Sequence, residues 1–157
     1  MKNRKLLSRL VFSFYIFCLP LFTHAAEHVI GMGSTGAEDS TSFEPYFLKV
    51  NAGDDVLFKT VAPGHYVAST VIPEGAMSWK SETDQDIKVH IDKPGYYLFT
   101  CPTHRALSMV GLIQAGDDQS NREAVLEALQ KMRPRIGMNI ERIDDLEKKL
   151  GDTSGNS

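Results

Sequence analysis

YYLFTCPTHRALSMVGLIQA, Tyr96 to Ala115, decides the fold. Its ends are apolar, β-type runs: YYLFT (Tyr96–Thr100) and MVGLIQA (Met109–Ala115). Its middle cannot be sheet. Pro102 has no N–H to give to a ladder, so the chain must loop out after Cys101 and return at Met109. The second run is apolar enough to be buried on both faces. Cys101, His104 and Met109 are thereby gathered at one end of a strand pair.

Outward from that hairpin the pattern stays short and strand-like. FLKV (Phe47–Val50) leads into a turn at Gly53, then VLFKT (Val56–Thr60), then a loop through Pro63 and Gly64. IKVHI (Ile87–Ile91) alternates, with Lys88 and His90 on the outer face, and turns at Pro94-Gly95. Short strands between Gly/Pro turns predict an all-β sandwich or barrel. The character changes after Gly116-Asp117. Ser120 and Glu123 have capping-box spacing, and Val125, Leu129 and Met132 follow at helical spacing until Pro134. Ile136, Ile140, Ile143, Leu146 and Leu150 mark a second amphipathic helix, whose stripe is expected to pack on the sandwich rather than form a dimer seam. Residues 151–157 are small and polar, and a disordered tail is expected there.

The N-terminus has a different composition. Lys2, Arg4, Lys5 and Arg9 precede an apolar run, Leu10 to Phe22, which Pro20 interrupts and which is shorter than a bilayer span. Thr23 and Ala25 then suit a cut before Ala26, so residues 1–25 read as a secretory signal peptide. Bulky residues before Cys18 argue against lipidation. Cleavage leaves Cys101 as the one cysteine, and an odd cysteine in an exported chain means an intermolecular bridge, a free thiol or a metal ligand. Cleavage also removes four of the 17 basic residues and none of the 20 acidic ones, leaving 13 against 20, a net charge of −7. That excludes nucleic acid and anionic lipid as natural partners. No second apolar run of spanning length follows.

Cys101, His104 at +3 and Met109 at +8 offer a thiolate, an imidazole and a thioether. Taken singly, each residue has an ordinary reading: a small buried hydrophobe, a solvated loop histidine, a core methionine. Together they form a soft ligand set, and a second imidazole would complete the two-His, one-Cys arrangement with weak axial Met that suits copper electron transfer. His65, in a loop after Gly64, is the best-placed candidate. His90 faces outward and His28 stands near the new N-terminus with no partner nearby in sequence. Zinc fits less well, since zinc sites seldom take a thioether. A catalytic Cys-His pair would want an orienting third group, and none stands out.

The sequence resembles the pseudoazurins, small periplasmic copper proteins of the cupredoxin family. The resemblance runs from about His28 to Leu150. It is carried by SFEPYFLKVNAGDDVLFK (Ser42–Lys59), PGHYV (Pro63–Val67), VIPEGAMSWKS (Val71–Ser81), KPGYYLFTCPTH (Lys93–His104) and MVGLIQAGD (Met109–Asp117). It implies a Greek-key β-sandwich with two C-terminal helices and one type-1 copper ion. His65, Cys101 and His104 would be strong ligands and Met109 the long axial one. Electrons would leave through the exposed edge of His104, ringed by Pro102, Ala106 and Leu107. The implied partners are redox proteins such as a nitrite reductase or a cytochrome. Three positions depart from the family pattern. Tyr66 replaces the usual Asn that ties two ligand loops. The order Pro102-Thr103 replaces Thr-Pro, which moves an N–H within reach of the Cys101 sulfur and predicts a raised potential. Arg105 is the only basic residue of a loop that usually sits in a lysine ring, though Lys59 and Lys80 stand as candidates to lie close.

The expectation is a monomeric periplasmic one-electron carrier that is no enzyme: signal peptide 1–25, sandwich 26–117, helical extension 118–150 and tail 151–157. The alternative is a periplasmic copper-delivery or copper-stress protein using the same residues. An enzyme would need an open copper position, which Met109 would close.

Overall fold

The computed structural model describes residues 25–34 and 40–152, so the signal-peptide reading of 1–24 and the last five tail residues lie outside the described residues. The strands are β1 (Glu27–Met32), β2 (Phe43–Glu44), β3 (Phe47–Val50), β4 (Asp55–Thr60), β5 (Ala68–Val71), β6 (Ile87–His90), β7 (Gly95–Thr100) and β8 (Val110–Ala115). Two helices follow, α1 (Arg122–Met132) and α2 (Glu141–Asp152). The strands form two four-stranded sheets, β2-β1-β4-β6 and β3-β8-β7-β5. In both sheets the inner strands are six residues long and the outer ones two to four. Two pairs, β1 with β4 and β3 with β8, are parallel; the others are antiparallel.

The core lies between the sheets. Ile30, Phe58 and Val89 from one sheet meet Tyr97, Phe99 and Ile113 from the other. Phe43, Phe58 and Phe99 pack edge to face, with ring centroids 4.9 to 6.4 Å apart. The far face of β7 and β8 is covered too. Tyr96, Leu98, Val110 and Leu112 pack against Val125, Leu129, Ile143, Leu146 and Leu150 of the helices. Every residue of β7 and β8 is therefore buried, as expected for the second of them. The helical stripe packs on the sandwich within the same chain. The expected sandwich with two C-terminal helices is the observed fold.

The local differences have clear causes. β1 is absent from the sequence reading because EHVIGM alternates weakly, and its partner is a parallel strand beginning more than twenty residues on. The capping box does not form. Asn121, not Ser120, is the N-cap of α1, and the Ser120 hydroxyl bonds the Asp118 carboxylate instead. Asn121 spends its amide on the backbone of Tyr96, accepting from its N–H and donating to its C=O, which ties the helix to β7. α2 continues through Gly151 and Asp152, two residues past the expected end. Met109 precedes its strand rather than opening it.

Candidate metal centre

The loop between β7 and β8 is held by its own backbone. The Cys101 N–H donates to the Met109 carbonyl at 3.0 Å, and the His104 carbonyl accepts from Leu107 and Met109. Ser108 closes the loop in the left-handed region at φ 62°, an unusual conformation for a residue with a side chain. Cys101 and Met109 are wholly buried, while His104 is half-buried.

His65 arrives from the loop before β5 and is buried. The donor atoms of His65, Cys101 and His104 all lie within 4.8 Å of one another. Cys101 Sγ is 3.5 Å from His104 Nδ1, and the two imidazole centroids are 4.7 Å apart. The other two histidines of the described residues are engaged elsewhere. His28 pairs with Asp54 at 2.9 Å and His90 with Asp55 at 2.8 Å.

His65 is set up to offer a lone pair. Its ring bonds the Ser40 backbone, and Nδ1 is buried with no partner. Burial pushes its pKa below the ordinary histidine value, and neighbouring His104 pushes the same way. The ring is thus neutral near pH 7. A buried nitrogen without a hydrogen bond is costly unless something else fills its valence.

Sequence reasoning missed three supports of His65. The Asp84 carboxylate accepts from the Gly64 N–H at 2.6 Å and from the His65 N–H at 3.3 Å, while the Asp84 N–H returns to the His65 carbonyl. This anchors the His65 loop to the segment before β6, not to the loop that holds Cys101. Tyr66 itself packs against the core with Lys80 Nζ 5.3 Å above its ring. Gly33, at φ +85°, lies so close that a Cβ there would sit 3.0 Å from the His65 ring. Ser40 completes the set. All three lie in segments with no motif; their one trace is a glycine after an unplaced strand.

The N–H that the proline-threonine order frees does not reach the sulfur. Among the described residues the Thr103 N–H makes no bond to the Cys101 sulfur, whose polar neighbour is His104. Pro102 and Thr103 instead line a groove between the loop and α1, together with Ala106, Ala128 and Met132. Arg105, Lys131 and Arg135 also line it, so α1 and the turn after it bring basic groups that the loop sequence lacks.

Residues 30–116 match the copper-binding proteins of the plastocyanin/azurin family. The chain belongs to that family. Within it, the chain is 32% identical over 119 residues to the pseudoazurin of Paracoccus pantotrophus, covering 74% of this chain and 82% of that one. The solved pseudoazurin of Methylobacterium extorquens superposes with a TM-score of 0.66 at 26% identity, covering 80% of this chain and 98% of that one. A Sinorhizobium pseudoazurin gives 0.64 at 28% identity, covering 84% and 99%.

The residues present fit copper. Two imidazole nitrogens, one of them buried and orphaned, stand with a buried thiol and a wholly buried methionine at the same loop. That soft donor set suits copper better than zinc or any oxygen-seeking ion.

Proposed function

We propose that this chain is a periplasmic one-electron carrier in which His65, Cys101 and His104 would hold copper, with Met109 as a weaker fourth ligand. The convergence of the three donors within 4.8 Å carries the reading. Copper there would supply a Cu(I)/Cu(II) couple. The protein contributes rigidity and dryness. Asp84 and Gly33 hold His65, the loop backbone holds Cys101 and Met109, and the core excludes water from the sulfurs. Donors that do not move cost little reorganisation when charge changes. The half-open His104 is the exit, with Pro102, Ala106 and Leu107 as the contact surface. Visible and electron spin resonance spectra of the copper-loaded protein test this. An intense sulfur charge-transfer band with narrow copper hyperfine splitting supports it. A colourless protein that yields copper readily to an acceptor would show a delivery protein instead.

Export fits a detail at the N-terminus. The Ala26 nitrogen lies 3.0 Å from Asp54 Oδ1, so an amine freed by a cut before Ala26 meets a buried carboxylate. Intact mass of the protein recovered from the periplasm tests this; a mature chain beginning elsewhere refutes it. The redox partner is proposed to be acidic where it docks. Arg105, Lys131 and Arg135 make the ground beside His104 basic on a molecule whose net charge is otherwise negative.

A further inference from the structure

The turn that presents Met109 is clamped by a residue from the far end of the chain. Arg142, in the first turn of α2, is 8% exposed. Its Nη1 donates to the Ser108 carbonyl in a buried hydrogen bond, and to the Thr41 carbonyl at 3.4 Å. Its guanidinium carbon lies 5.7 Å from the centroid of the Tyr46 ring, whose hydroxyl donates to Asp145 one turn along. Ser108 is the left-handed residue of the loop, fully buried, with its own hydroxyl unpartnered. Its carbonyl also accepts from the Val110 N–H at 2.9 Å, so one oxygen receives both the strand and the arginine. A second contact reinforces the first: the Gly137 N–H donates to the Ala106 carbonyl at 2.8 Å.

We propose that Arg142 is a positioning residue for Met109. It fixes the peptide between Ser108 and Met109 in the strained turn and so sets where the Met109 sulfur stands relative to Cys101 and the two histidines. A charged donor on a carbonyl in a dry interior is among the stronger hydrogen bonds a protein makes. A hydrophobic replacement keeps the packing and loses the clamp. Lysine keeps one charged donor and restores part of it.

The inference rests on Met109 being a copper ligand, and the experiment separates the two. Full-length Arg142→Met, Arg142→Lys, Met109→Leu and the Arg142→Met/Met109→Leu double variant are prepared. The ratio of the two visible charge-transfer bands and the reduction potential are read on the copper form. Amide exchange at Met109 and Val110 is read on the copper-free form. Arg142→Met is expected to change the ratio and the potential and to speed exchange about tenfold. Arg142→Lys should fall between it and the parent. In the Met109→Leu background, Arg142→Met should change neither the ratio nor the potential further. Shifts of equal size in both backgrounds, or none in either, overturn the proposal while leaving the ligand reading intact. An unchanged spectrum in Met109→Leu overturns the ligand reading, and this proposal with it. Should Arg142→Met fail to fold, Arg142→Lys stands in its place in the same cycle, with the same two outcomes.

Discussion

At the scale of single residues, the centre depends on side chains that bear no copper-binding chemistry. Asp84 receives two N–H groups of the His65 loop. Asp84→Ala should therefore cost about 1–2 kcal/mol, since hydrogen bonds to a charged acceptor exceed neutral ones but this carboxylate meets solvent. Thermal unfolding of the copper-free protein measures the loss, and faster copper release to a chelator should accompany it. Asp54 gives a pH signature. N–H donation from Asn51, then the His28 side chain, then the Ala26 N–H hold its pKa at about 2, below the ordinary 3.8. Its contribution is present above pH 3.8 and is lost as pH falls through about 2. Asp54→Asn should flatten the dependence of stability on pH across that window by close to one proton, read from denaturant unfolding at each pH. The sequence exposed Cys101, His104 and Met109 because one loop of nine residues holds all three. His65 was legible as a loop histidine after a glycine. Asp84, Gly33 and Ser40 were not, because what makes them matter is a distance across the fold.

At the scale of elements, the pairing of β7 with β8 leaves no room for a side chain at one position. Gly111 pairs with Phe99, and a Cβ there would lie 2.4 Å from the Phe99 ring. Gly111→Ala should destabilise by about 1–3 kcal/mol, as overpacking in a filled core does. Chemical denaturation would show a lower midpoint at unchanged slope. The strands easiest to read were those between sharp Gly/Pro turns. β1 has no such frame and finds its register only in the sheet, against β4 along its whole length and β2 at its end. The N-terminus of α1 shows the same limit from the other side: a sequence rule placed the cap on Ser120, but the contact with Tyr96 chose Asn121. The orientation of the apolar stripe of α2 was legible because period alone fixes it.

At the scale of the molecule, charge is unevenly placed. The chain is acidic, with 17 basic against 20 acidic residues, yet Arg105, Lys131 and Arg135 share one groove. Reversing Lys131 and Arg135 to Glu should slow association with an acidic redox partner about tenfold at low salt, and the difference should shrink as salt rises. Stopped-flow electron transfer over a salt series measures it. Most of this sign was hidden from the sequence because Lys131 and Arg135 belong to the C-terminal segment, more than twenty residues beyond the loop they flank.

The unequal strand lengths have one more effect. Both sheets present their shortest strands at the rim, two to four residues each, and keep the six-residue strands inside. The rim therefore offers few free amides for a neighbour's backbone to zip onto, and Lys49 and Lys88 put charge on two of those strands. Crowded beside its own copies, the molecule should stay single, and sedimentation at millimolar concentration should return the mass of one chain. A carrier that must collide, hand over its electron and leave is served by margins that do not stick.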